Sequence, residues 1–137
     1  MQVASAAPPD LAFELDLQPR SPSIARGQLA GLDFGSPGLR ESVMLLASEF
    51  VTRAVQWCRP SDGGGIELRV WMRERDVRVE LIAPDKMLSL PLEREYPSYD
   101  VVLLREVADR WAIETASYPV CMWFEIDRIH PGDPFAM

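Results

Sequence analysis

Apolar and polar positions along this chain change period several times, and each change marks an element. In LAFELDL, residues 11–17, Leu11, Phe13, Leu15 and Leu17 alternate with Ala12, Glu14 and Asp16, the period of a strand with one buried face. SPSIARGQLAGL, residues 21–32, predicts a short helix with Ser21 as N-cap and Pro22 at the first helical position; Gly27 inside it and Gly31 near its end weaken it. From Pro37 to Cys58 the spacing is helical, with Val43, Leu46, Phe50, Ala54 and Trp57 on one stripe, and the turn cluster PSDGGG from Pro60 stops it. IELRVWM and VRVELIA alternate again around the charged turn RERD, a hairpin signal. Residues 84–98 hold three prolines and little periodicity, which predicts a long loop. YDVVLLREVADRWA predicts a helix with Val101, Leu104, Val107, Ala108 and Trp111 on one side, and AIETASY with VCMWFEID a closing hairpin.

Each strand in this order has one polar and one apolar face. The expected fold is therefore α+β: a two-layer sandwich of helices on one face of a mixed, mostly antiparallel sheet. The 137 residues suffice for one domain, expected over 11–128 between a flexible tail at 1–10 and another at 129–137. A net charge of −7 with scattered basic residues excludes the clustered cations that a nucleic acid partner needs. No apolar run approaches the roughly 20 residues of a membrane span, and the opening MQVASAAPPD lacks the pattern of a secretory signal. Cys58 and Cys121 with the single His130 make no metal motif, and both cysteines read as buried thiols of a cytoplasmic protein.

Several residues carry weaker signals. GGG at 63–65 reads as a turn, because no Lys-Ser or Lys-Thr helix start follows it. His130 has neither acid nor nucleophile placed beside it. Trp57 and Trp111 end helix stripes and belong in the core, whereas Trp71 and Trp123 fall on the polar faces of their strands. There they pack across the sheet or, the favoured reading, form an apolar patch for a partner. Glu106 and Arg110 have the spacing of a solvated helix-face ion pair.

LLASEFVTRAVQW, then two strands, then VADRWAI and CMWFEI, in this order, resemble the ATP-binding domain of bacterial anti-sigma-factor serine kinases, in the wider group of gyrase, heat-shock-90 and histidine-kinase ATPase domains. The resemblance spans roughly residues 11–128 and implies the histidine-kinase-like ATPase fold. It also implies three motifs for Mg-ATP. The first is a Glu followed four residues later by a magnesium-binding Asn; here Glu49 stands at the base position and Arg53 at the Asn position. Guanidinium has no lone pair to offer a hard cation. The second is an Asp ending the second hairpin strand, which accepts from the adenine amine; VELIAPD puts Ala83 there. The third is a Gly-x-Gly-Leu turn before the last helix, where backbone N–H groups close on phosphate; its counterpart is Ser98, Tyr99 and Asp100.

Arg53 also has a reading from the residues alone. It lies four positions after Glu49 at one edge of the apolar stripe, the better orientation for an ion pair, and in the resembled fold that edge is the floor of the nucleotide pocket. The resulting expectation is a non-enzymatic interaction module, an anti-sigma-type regulator with Mg-ATP binding and kinase activity lost, no cofactor and no metal. The resemblance names a sigma factor or an anti-anti-sigma protein as partner, with Arg20 and Arg26 on the first helix as contacts, and a possible homodimer. The alternative is an active ATP-dependent serine/threonine kinase that keeps Glu49 as base and moves Asp85 inward. A third reading has Arg53 and Lys86 holding a different anion without metal.

Overall fold

Period-two alternation builds one sheet. The computed structural model describes residues 7–57, 65–83, 99–114 and 120–128. Its elements are β1 (Leu11–Leu15), α1 (Ser21–Leu29), α2 (Pro37–Trp57), β2 (Ile66–Met72), β3 (Asp76–Ala83), α3 (Tyr99–Val107), β4 (Arg110–Glu114) and β5 (Val120–Asp127). The five strands lie in the order β1-β2-β3-β5-β4. Every pairing is antiparallel, so the parallel component expected of a mixed sheet is not found among the described residues. Where a hairpin turn returns the chain beside itself, as between β2 and β3, antiparallel pairing follows directly.

One face of the sheet meets the helices. Leu68, Val70, Val79, Leu81, Met122 and Phe124 point inward and pack with Leu29, Val43, Leu46, Phe50 and Ala54 in a single core. Phe50 of α2 meets Phe124 of β5 edge to face, with ring centroids 5.4 Å apart, a favoured aromatic geometry. The helical stripe expected at Val43, Leu46, Phe50 and Ala54 is wholly buried. The α+β class and the single-sided helix layer thus follow from the two hydrophobic periods. Trp57 ends α2, and Cys58, the loop at 84–98 and His130 lie outside the described residues.

Three local expectations change. Ser21 is the first residue of α1 rather than its cap: Arg20 precedes the helix with no side-chain cap. The Ser21 hydroxyl instead donates to the Asp16 carbonyl and accepts from the Gln18 N–H at 3.2 Å. Side-chain bonding of this kind competes with capping. The first helix stops at Leu29 instead of running to residue 32. The last helix stops at Val107: the Ala108 N–H still bonds to the Leu104 carbonyl at 3.0 Å, but the Asp109 N–H bonds to Glu125 of β5 at 2.9 Å. Arg110, Trp111 and Ala112 therefore belong to β4. Trp111 still packs on the core, because helical spacing from Leu104 and Ala108 and strand spacing to Ile113 both place it inward. The pattern alone does not separate the two.

Two glycines are required by geometry. Gly35 has φ +84°, and its N–H bonds to Asp33 Oδ1 at 3.0 Å in the turn that leads into α2. Gly65, the last of the GGG run, passes the end of β1 so closely that a Cβ there would lie 2.5 Å from the Leu15 carbonyl oxygen. Gly65→Ala is expected to cost about 1–3 kcal/mol from overpacking against rigid backbone. Gly27→Ala, where a Cβ meets open space inside a helix, is expected to gain up to about 1 kcal/mol. Urea denaturation of both variants checks the contrast.

Candidate functional site

Arg53 stands inside the helix layer. At about 100° per residue it falls between Leu46 and Glu49 on α2, and it is 2% exposed while Glu49 is half-buried. Taking a guanidinium out of water costs several kcal/mol unless neighbouring groups compensate. The adjacent turn of α2 has polar side chains of its own: Ser48 Oγ donates to the Leu45 carbonyl at 3.0 Å and Thr52 Oγ1 to the Ser48 carbonyl at 2.9 Å. Ala83 ends β3 opposite Val120 with its methyl fully buried. Tyr99 and Asp100 form the first turn of α3, and Ser98, Asp85 and Lys86 lie outside the described residues. At the two described positions that the resemblance assigns to Mg-ATP, Arg53 and Ala83, the side chains offer neither a metal ligand nor a hydrogen-bond acceptor. Where the resemblance expects a metal-binding carbonyl stands a buried guanidinium, and where it expects an adenine acceptor stands a buried methyl. Among the described residues no cluster of His, Cys, Asp or Glu is arranged to hold a metal ion.

Arg26 is exposed on α1 and Arg20 is exposed at the residue just before it; Arg20 borders a cavity. That cleft, of 690 Å³, lies where the end of β1 and the start of β2 meet α1; Glu14, Asp16, Glu67, Arg20, Ile24 and Ile82 line it. Its rim is fixed by the Ser21 hydrogen bonds and by the close passage of Gly65.

The helix-free face of the sheet holds residues that the sequence reading missed. In register across the sheet stand Trp71 of β2, Arg78 of β3, Glu125 of β5 and Arg110 of β4. Arg73, Arg78 and Arg110 each donate to Glu125, at 2.7, 2.8 and 2.6 Å. Arg73 and Arg110 also bind Asp76, Arg110 binds Asp127, and Arg78 binds Glu80 at 2.8 Å. Arg110 thus lies in a strand among three carboxylates, in place of the helix-face pair with Glu106 that its spacing suggested. The expected tryptophan patch is absent too. The Trp71 indole N–H donates to the Ala7 carbonyl at 2.8 Å, leaving the residue 4% exposed, and the Arg78 guanidinium lies 4.3 Å over the Trp123 ring. Alternating charge on neighbouring strands was the available signal; reading it required knowing that β5 inserts between β3 and β4.

This lattice is structural. Burial by itself pushes the Glu125 carboxyl up, but hydrogen bonds from Arg110, Arg78 and Arg73 outweigh it and hold the group at about 2, against an ordinary 4.5. The Arg110 guanidinium is correspondingly raised, first by Asp127 and then by Glu125. A carboxyl whose folded pKa lies below its unfolded one stabilises the fold above the unfolded value. That contribution disappears as pH falls from 4.5 to about 2. Glu125→Gln is expected to cost about 3 kcal/mol at neutral pH. The gap between the melting curves of variant and parent should narrow through that acid window, and scanning calorimetry across pH measures it.

Compared with known proteins, the chain matches no family model and no curated sequence.

Proposed function

We propose that this chain is a non-enzymatic interaction module, an anti-sigma-type regulator on a histidine-kinase-like ATPase scaffold that no longer takes Mg-ATP. The observation that carries the reading is the burial of Arg53, at 2% exposure, on the helix that the resemblance makes the floor of the nucleotide site. A fixed positive charge there repels a divalent cation and offers it no ligand. Phosphoryl transfer depends on its metal and on positioning for nearly all its acceleration, so the loss falls on the step itself. Ala83 removes the adenine acceptor independently. The half-buried Glu49 remains as the vestige of a base, next to a cation where a metal would be required.

The five-stranded antiparallel sheet and its helix layer support a rigid body that presents a surface, which is all that holding a partner requires. The resemblance puts a sigma factor or an anti-anti-sigma protein first among partners, with a homodimer as the unit and the cytoplasm as the setting. No described helix is long and apolar enough to cross a membrane.

Thermal melts with ATP, with and without magnesium, test the reading. A ligand at 100 times its dissociation constant adds about 2.7 kcal/mol of stability. No shift is expected under either condition, and no phosphoryl transfer from labelled ATP to a purified anti-anti-sigma protein. A magnesium-dependent shift supports the kinase instead, and a magnesium-independent shift supports an anion site at Arg53.

A further inference from the structure

The two ends of the sheet treat their carboxylates differently. Around Glu125 the acids Asp76, Glu80, Glu125 and Asp127 are each bound by arginine. At the β1 end, Glu14 of β1 stands directly opposite Glu67 of β2. Like charges in that position destabilise a sheet. Glu67 is relieved by Arg69 at 2.9 Å, but Glu14 and Asp16 are exposed and make no ion pair among the described residues. All three line the 690 Å³ cleft, whose apolar side is made by Leu15, Ile66, Ile82 and Ile24. Ile24 is 43% exposed, one of three large apolar side chains left so open among the described residues. Beside the cleft, β1 pairs with β2 and with no second strand among the described residues, and its sequence LAFEL carries neither the lysine nor the proline that usually guards an edge.

We infer that this cleft docks an extended, basic segment of a protein partner. A Lys or Arg of that segment sits among Glu14, Asp16 and Glu67, relieving the like-charge pair. An adjacent apolar residue, on the opposite face of the segment, covers Ile24, and the backbone runs along the edge of β1. Complementarity selects a basic occupant: with Glu67 bound by Arg69, Glu14 and Asp16 still face one guanidinium, Arg20, in a chain of net charge −7. The cleft is preorganised, since the Ser21 hydroxyl and the Gly65 contact fix its rim.

The inference rests on reading the chain as a binding module but is separable from the nucleotide result. A positive ATP titration leaves peptide binding to be read on its own, and a failed peptide titration leaves the ATP result standing. The test titrates the full ¹⁵N-labelled chain with a blocked peptide Val-Arg-Ile-Lys-Val-Thr and with its twin bearing Glu in place of Arg and Lys. Amide shifts are expected at Ala12, Glu14, Asp16 and Ile24 with the basic peptide and not with the acidic one. The double variant Glu14→Gln, Asp16→Asn, altered only at exposed positions, should weaken binding about tenfold. Ile24→Ser should weaken it as well, while Leu45→Ser, outside the cleft, should leave it unchanged. Shifts confined to other elements, equal binding of both peptides, or no shifts at all would overturn the inference.

Discussion

A cation held inside the helix layer constrains the chemistry open to this protein. Position 53 sits at the edge of the α2 stripe that Leu46 and Phe50 press onto the sheet, and Arg53 is enclosed there. Its charge is met there by neighbouring groups of the protein rather than by bulk water. On the reading proposed above, a divalent ion finds no ligand at position 53 and an adenine finds no acceptor at Ala83.

The rest of the molecule accommodates charge in a second way. On the helix-free face, arginines from the β2–β3 turn, β3 and β4 converge on Glu125, while Arg78 shields the Trp123 ring. Long side chains lying flat over one another substitute for a covering layer. Arg128 extends the arrangement to the helices: its Nε donates to the Arg73 carbonyl at 2.7 Å and its Nη1 to the Phe34 carbonyl at 3.0 Å. The β2–β3 turn, the end of β5 and the approach to α2 are thereby joined. Arginine-bound carboxylates thus gather around Glu125, while Glu14 and Asp16 on the β1 side make no ion pair among the described residues.

Much of this was legible in the sequence, for identifiable reasons. Strict alternation in IELRVWM and VRVELIA set two strands and their inward faces, and the Val43 to Ala54 spacing set the long helix. What failed was local or topological. Trp111 satisfies both periods, so the boundary between α3 and β4 depended on the Asp109 bond to Glu125 rather than on pattern. Ser21 had the chemistry of a cap and used it on the preceding turn. Arg78, Glu125 and Arg110 are distant in sequence, and only the strand order brings them into one row. The tryptophans on the polar face were visible, but the arginine over Trp123 and the carbonyl of Ala7 over Trp71 were not. Arg53 was the opposite case, since its place on the stripe was evident from spacing alone.

The most direct test of the central claim is a crystal structure of the chain grown with excess Mg-ATP. The Arg53 guanidinium is expected to stay enclosed at the edge of the α2 core stripe, with no nucleotide or metal beside it. Electron density for ATP with magnesium coordinated next to Glu49, and Arg53 swung aside to admit it, would contradict the account.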